Sequence, residues 1–266
     1  MSAIRIILTC LLSTLFSCLF AQQEYYTSAG FARDGGLLPF RIMYPEGFTV
    51  EAKYPLIIFL HGAGERGNDN QKQLVHGANF FAQYNRRQYP AVVVFPQCPE
   101  NQYWASVDFT WHDDGSRTFG FRPEKEPTPP LSLVIQLIDS LLTTPWIDHS
   151  RIYIGGLSMG GMGTFEMIYR LPDVFAAAFP VCGGGKPETA PFFASKVPVW
   201  VFHGDADPVV PISLSTAMVD ALRNAGADPL FTIYPGVGHN AWDYTFQEPD
   251  LIPWLFQQKK SSQKRQ

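Results

Sequence analysis

Cysteine is scarce in this chain. It has four, and two of them, Cys10 and Cys18, fall in the apolar stretch at the amino terminus. The other two, Cys98 and Cys182, are too few for a disulfide framework and have no metal-ligand spacing. Basic residues are not in excess either: 20 Lys and Arg stand against 24 Asp and Glu, a net charge of −4, so there is no electrostatic footprint for nucleic acid. After the amino-terminal stretch no apolar run is long enough to cross a bilayer, which excludes stable membrane insertion of the rest of the chain. No internal repeat or dividing linker is visible. The 22 Gly and 22 Pro are spread along the chain and read as many loops.

The first stretch, "MSAIRIILTCLLSTLFSCLFAQQ", has one basic residue, Arg5, an apolar run from Ile6 to Phe20, and Ala21 before Gln22. It reads as a secretory signal peptide over residues 1–21, cleaved after Ala21, with a core short for a membrane span. An uncleaved anchor and a lipid attached at Cys18 compete with that reading. Phe16 fits a lipoprotein box poorly. The mature protein is then expected outside the cell or in the periplasm. Residues 22–258 read as one domain, and 259–266 as a polar tail that frays into solvent.

Short apolar runs set the architecture. "EYYTSAGFA" and "LPFRIMYPEGF" flank the turn "RDGG" and predict an antiparallel pair. "YPLIIFLHG", "YPAVVVFPQ", "RIYIGGLS", "VFAAAFPV", "VPVWVFHG" and "PLFTIYPG" follow as buried-strand runs. Helical patterns lie between them at Leu131–Leu142, after Ser158, and at Ser213–Gly226, which has a serine cap and a glycine stop. Buried strands alternating with helices specify an α/β protein, a mostly parallel twisted sheet with helices on both faces. Residues 97–130 show neither pattern. That segment is rich in rings (Tyr103, Trp104, Phe109, Trp111, Phe119, Phe121), and a loop with so many is expected to be ordered.

The chemistry is written in "Gly156-Leu157-Ser158-Met159-Gly160". A G-x-S-x-G match means little alone, but here it sits where a buried strand turns into a helix. That is the setting of a nucleophile elbow, in which small neighbours let the serine adopt a strained turn. A serine hydroxyl needs a base. His239, in "YPGVGHNAWDY", follows the last strand, and "VFHGDADPVVP" offers Asp205 and Asp207 as the acid that orients it. An oxyanion needs two N–H donors. Met159, after the nucleophile, is one, and the glycine-rich loop "LHGAGERGND" after the first buried strand supplies the other, Ala63, with Gly64 beside it. His61 reads as a structural residue of that loop. "WHDDG", at His112 to Asp114, is a weak metal motif, and no cofactor is called for.

"FLHGAGERGNDN", "GLSMGGMGTFE", "VFHGDADPVVP" and "GHNAWD", together and in order, resemble a secreted bacterial α/β-hydrolase of the esterase/prolyl-oligopeptidase-like superfamily. The nearest likeness is to the single-domain predicted peptidase/carboxylesterase group, related to dienelactone hydrolases and to feruloyl and acetylxylan esterases. It covers about Tyr54 to Phe256. The resemblance implies the α/β-hydrolase fold, places the acid at Asp207 and leaves Asp205 a loop residue. In that strand order Cys98 and Cys182 lie about 14 Å apart, and both thiols stay free. The implied activity is a serine carboxylesterase acting on short-chain or aryl esters, on small esters or on feruloyl or acetyl esters decorating a polysaccharide. Trp104, Trp111 and Trp242 are the candidate substrate-binding rings. The alternatives are a small serine peptidase, although the β-propeller of true prolyl oligopeptidases is absent, and a non-catalytic binding module. No G-x-G-x-x-G follows a strand, which excludes dinucleotide binding.

Overall fold

A computed structural model of the protein describes residues 24–85, 88–115 and 117–260. The signal peptide read at 1–21 and the last six residues of the tail lie outside that range. The chain opens with strands β1 (Thr27–Arg33) and β2 (Gly36–Met43), paired antiparallel with Arg33 opposite Gly36. Between them Asp34 and Gly35 hold φ of 51° and 78°, as a two-residue hairpin with matching twist requires. Next come β3 (Tyr54–Leu60), α1 (Ala78–Asn85), β4 (Val92–Pro96), β5 (Val107–Trp111) and β6 (Arg117–Phe121). They are followed by α2 (Pro129–Leu142), β7 (Ile147–Leu157), α3 (Met159–Arg170), β8 (Ala177–Val181), β9 (Trp200–Gly204), α4 (Ile212–Asn224), β10 (Leu230–Tyr234), α5 (Trp242–Thr245) and α6 (Leu251–Gln257).

Eight strands form one sheet in the order β1-β2-β4-β3-β7-β8-β9-β10. From β4 to β10 all pairings are parallel, and β2 joins β4 antiparallel. This is the α/β-hydrolase fold, and the unbroken apolar runs explain it. Along β3, Ile57 and Phe59 face one core, while Leu56, Ile58 and Leu60 face the other, all fully buried. A strand buried on both faces has no polar alternate, and each such side chain contributes about 1.5–3 kcal/mol. Helices α2, α3 and α4 cover the core of Leu56 and Leu60, through residues such as Leu131, Phe165 and Leu222. Helices α1 and α6 cover the opposite face with Phe81 and Leu255.

Three details differ from the expectation. Residues 97–130 contain a two-stranded sheet of their own, β5 against β6. Its alternation, Val107/Phe109 against Phe119/Phe121, is only five residues long per strand and interrupted by charges, which hid it. Helix α4 begins at Ile212 with Pro211 as its N-cap and no side-chain cap, so Ser213 lies inside the first turn rather than capping it. Gly226 does stop it, at φ 85°. Finally, the tail does not fray from its first residue: Lys260 donates its backbone N–H to Ser150 O at 2.9 Å and its ammonium to Asp173 O.

Cys98 follows β4 and Cys182 follows β8, with β3 and β7 between them. Both are free and buried, and burial pushes both thiols up to about 12.

Candidate active site

Strand β7 runs down the middle of the sheet and ends at Leu157. The next residue, Ser158, has φ 54° and ψ −116°, a region that costs a non-glycine residue free energy. The strain is possible because its neighbours have no side chains. A Cβ on Gly156 would come within 2.5 Å of Gly160 O, and one on Gly160 within 1.9 Å of Leu60 O. Strand β7, helix α3 and the end of β3 are therefore in backbone contact, and any side chain at either position would force the elbow open. Ser158 N–H donates to Val181 O at 2.8 Å, tying the elbow to β8.

Two further carboxyl-edge loops meet this serine. His239, on the loop after β10, places Nε2 2.8 Å from Ser158 Oγ, and its Nδ1 lies 2.7 Å from Asp207 Oδ2. Asp207, on the loop after β9, has a fully buried side chain. Its Oδ1 accepts the amides of Val209 and Val210 at 2.8 and 3.0 Å. Burial works against its charge, but the hydrogen bonds from His203, His239 and the two amides outweigh it and hold the carboxyl well below the usual range. With Asp207 ionised, His239 carries its proton on Nδ1 and offers a bare Nε2 to the serine hydroxyl. Asp205 is exposed and accepts Gly236 N–H at 2.6 Å, bracing the loop that leads to His239.

On the other side, Ala63 opens a single 3-10 turn, Ala63–Glu65, after Gly62, and Met159 is the first residue of α3. First-turn amides have no acceptor within their own helix, so the N–H groups at both positions are left for another acceptor. His61 fixes this loop from behind. Its Nδ1 donates to Gly62 O at 2.6 Å, and its Nε2 accepts Cys98 N–H at 2.9 Å. Burial lowers its pKa to about 4, so it is neutral and has no free nitrogen.

A cleft of about 550 Å³ opens over Ser158. Trp111 and Trp242 line it, Trp111 being 66% exposed on the β5–β6 hairpin. Trp242 packs edge-on against His239 and at a tilt against His76. Trp104 is not in the cleft. It is fully buried behind the elbow, its indole N–H donating to His61 O at 3.1 Å, and its Cβ sits where a side chain at Gly163 would go. A buried indole must find an acceptor, and this one finds His61 O with its ring turned inward. His112 and Asp113 belong to the hairpin's turn, and among the described residues they join no cluster of ligand-type side chains.

One residue of the site escaped the sequence reading. His203, inside β9, is completely buried, with Nε2 2.9 Å from Val210 O and 3.3 Å from Asp207 Oδ2. Both partners only accept, so Nε2 carries a proton. Its Nδ1 meets Ser215 Oγ at 2.8 Å, and that hydroxyl also lies 3.0 Å from Gly183 O. Asp207 thus lies between two imidazoles. Cys182, His203 and Asp207 bring ligand-type atoms within 4.8 Å of one another, but those of His203 and Asp207 are committed to the hydrogen bonds just given, and the Cys182 thiol is protonated and donates to His239 O at 3.4 Å.

A strained serine on a strand-to-helix turn, a histidine and a buried aspartate on successive carboxyl-edge loops define a serine hydrolase on an α/β-hydrolase scaffold. Residues 49–249 match the phospholipase/carboxylesterase family, and the chain belongs to that family. It is similar to acyl-protein thioesterase 1 of Neurospora crassa, 34% identical over 70% of this chain and 80% of that protein. A probable carboxylesterase of Oryza sativa subsp. japonica is 28% identical over 76% of this chain and 88% of its own length. Among solved structures, a thermostable esterase superposes with a TM-score of 0.78 at 36% identity, over 89% of this chain. This chain spans 64% of that esterase's length. The protein is an enzyme, a hydrolase of carboxylic esters.

Proposed function

We propose that Ser158 is the nucleophile, His239 the general base and acid, and Asp207 the group that orients and charges-compensates the imidazole. The reading rests on one observation, the relay Ser158 Oγ–His239 Nε2–Asp207 Oδ2 at 2.8 and 2.7 Å. His239 takes the hydroxyl proton as Oγ attacks the ester carbon. The oxyanion is held by the amides of Ala63 and Met159. Collapse of that intermediate expels the alcohol, which takes the proton from His239 and leaves an acyl-serine. Water, deprotonated by the same imidazole, then releases the acid.

The substrates are esters of short-chain or aryl acids. Trp111 and Trp242 frame an open cleft suited to flat rings, in keeping with feruloyl-type esters on small molecules or polysaccharides. The fungal relative named as a thioesterase supports activity on acyl thioesters as well, since thiolate leaves the same intermediate more readily. The processed protein is exported, with residues 1–21 removed. Purified protein assayed on 4-nitrophenyl acetate, methyl ferulate, an S-acyl thioester and an aminoacyl anilide tests this. Turnover of the esters with none of the anilide is expected, and the reverse ranking would make it a peptidase. A mature amino terminus other than Gln22 would overturn the processing site.

A further inference from the structure

The cleft's charge runs against that of the whole chain. The protein carries a net charge of −4. Yet the cleft over Ser158 is lined by two guanidinium groups, Arg66 and Arg117, and by one carboxylate, Glu65. That carboxylate faces a different partner: its Oε1 lies 3.6 Å from His76 Nε2. Among the described residues neither arginine comes within ion-pair distance of any carboxylate. Their hydrogen bonds go to backbone carbonyls. Arg66 donates Nε to Ala63 O at 2.8 Å and Nη1 to Gln102 O at 3.3 Å, and Arg117 donates Nη2 to Val209 O at 3.0 Å.

A guanidinium has five N–H donors, so most of those on Arg117 and several on Arg66 remain unspent. Both are held rather than waving in solvent. Arg117 lies over Phe109, Trp111 and Phe119, 4.9 to 5.5 Å from the ring centroids. Arg66 is braced by the oxyanion loop and by the chain at Gln102. Tyr103 lines the same cleft, near enough for both charges to act on its phenol. Fixed, half-buried guanidiniums with spare donors match a carboxylate's two oxygens.

We propose that the cleft selects esters that carry a second, free carboxylate, bound by Arg117 and Arg66. The proposal rests on the esterase reading above and deepens it by naming the substrate class. The carboxylate belongs either to the acyl half or to the alcohol half of the ester, and matched pairs separate these sources. For the acyl half the pair is monobenzyl succinate and benzyl methyl succinate, followed by benzyl alcohol release. For the alcohol half it is 4-acetoxybenzoate and 4-acetoxybenzamide, followed by acetate release.

The readout is the ratio of kcat/KM, anionic over neutral, within each pair. In at least one pair the wild-type ratio is expected to reach about tenfold or more, the worth of a charged hydrogen bond. It should fall toward one in Arg117→Gln and in Arg66→Gln, survive in part in Arg117→Lys, and shrink with added NaCl in the wild type. Ratios at or below one in both pairs, or a ratio unmoved in both glutamine variants, would overturn the proposal, leaving the arginines as loop braces. The salt series decides the matter if a variant does not fold. Calorimetry on Ser158→Ala with monobenzyl succinate and its methyl ester separates this idea from the function itself. The same titration is run with 4-acetoxybenzoate and 4-acetoxybenzamide; tighter binding of the anion in at least one pair supports the proposal even if no ester is turned over, and equal binding in both pairs refutes it.

Discussion

Asp207 answers to two imidazoles, and each makes a different demand. His239 needs its charge, and His203 needs its position. Asp207→Asn should lower kcat on 4-nitrophenyl acetate by about three to four orders of magnitude, because an amide no longer fixes the working tautomer of His239. Asp205→Asn should stay within about tenfold of wild type, since Asp205 is exposed and braces a loop from outside. A larger loss at Asp205 would move the acid. Ser158→Ala should abolish turnover with an unchanged melting temperature. His203 touches no substrate; it acts by holding Asp207. Its removal leaves Val210 O and one carboxylate oxygen short of a buried donor, which costs about 1–3 kcal/mol. His203→Gln is accordingly expected to lower kcat about tenfold to a hundredfold with KM little changed, and to shift the rising limb of the pH–rate profile. A KM effect alone would make it a residue of the cleft wall.

At the scale of elements, the β5–β6 hairpin and the elbow ask the same kind of ring to do opposite work. Trp111 is exposed on the hairpin, so Trp111→Ala should spare the melting temperature and lower kcat/KM more on methyl ferulate than on 4-nitrophenyl acetate. Trp104→Ala should empty the space between α3 and the oxyanion loop, a loss of about 3–5 kcal/mol and on the order of 10 °C in Tm. Equal losses on both esters from Trp111→Ala would remove it from the substrate wall. The sequence could not sort these two rings. Both lie in residues 97–130, where no long period says which side faces in. Elsewhere the periods were long enough to read. Runs such as "YPLIIFL" and "AVVVF" are buried on both faces and specified the parallel sheet without ambiguity. The serine was legible because backbone contact at Gly156 and Gly160 leaves glycine as the only choice. His203 was not, because a polar residue inside an apolar strand carries no spacing signal. Its partners, Asp207 and Ser215, meet it only once α4 has folded back on β9.

The molecule as a whole stakes the loop around Gly62 and Ala63 on one neutral imidazole. Strand order keeps Cys98 and Cys182 apart, so both should titrate as free thiols under denaturing conditions, and a titre of zero would contradict the sheet. Cys98 matters in another way, through its backbone N–H. That amide donates to His61 Nε2, while His61 Nδ1 donates to Gly62 O, one residue before the turn that opens at Ala63. Protonating Nε2 breaks the first bond and buries a charge. The pKa therefore falls from 6.5 to about 4 on folding, with burial the main cause. The unfolded chain binds this proton more readily, so the stabilisation is fully present above about pH 6.5 and is lost as the pH falls toward 4. The drop should be on the order of 3 kcal/mol. Carboxyls with lowered values act below that window: Asp148 titrates at about 2 and Asp207 lower still. Urea unfolding at pH 7, 5.5 and 4 measures the slope, and His61→Gln, whose side-chain oxygen still accepts the Cys98 amide, should flatten it. A wild-type stability that stays level from pH 6.5 to 4, or a variant with the same slope as the wild type, would mean that His61 does not set the acid limit of the fold.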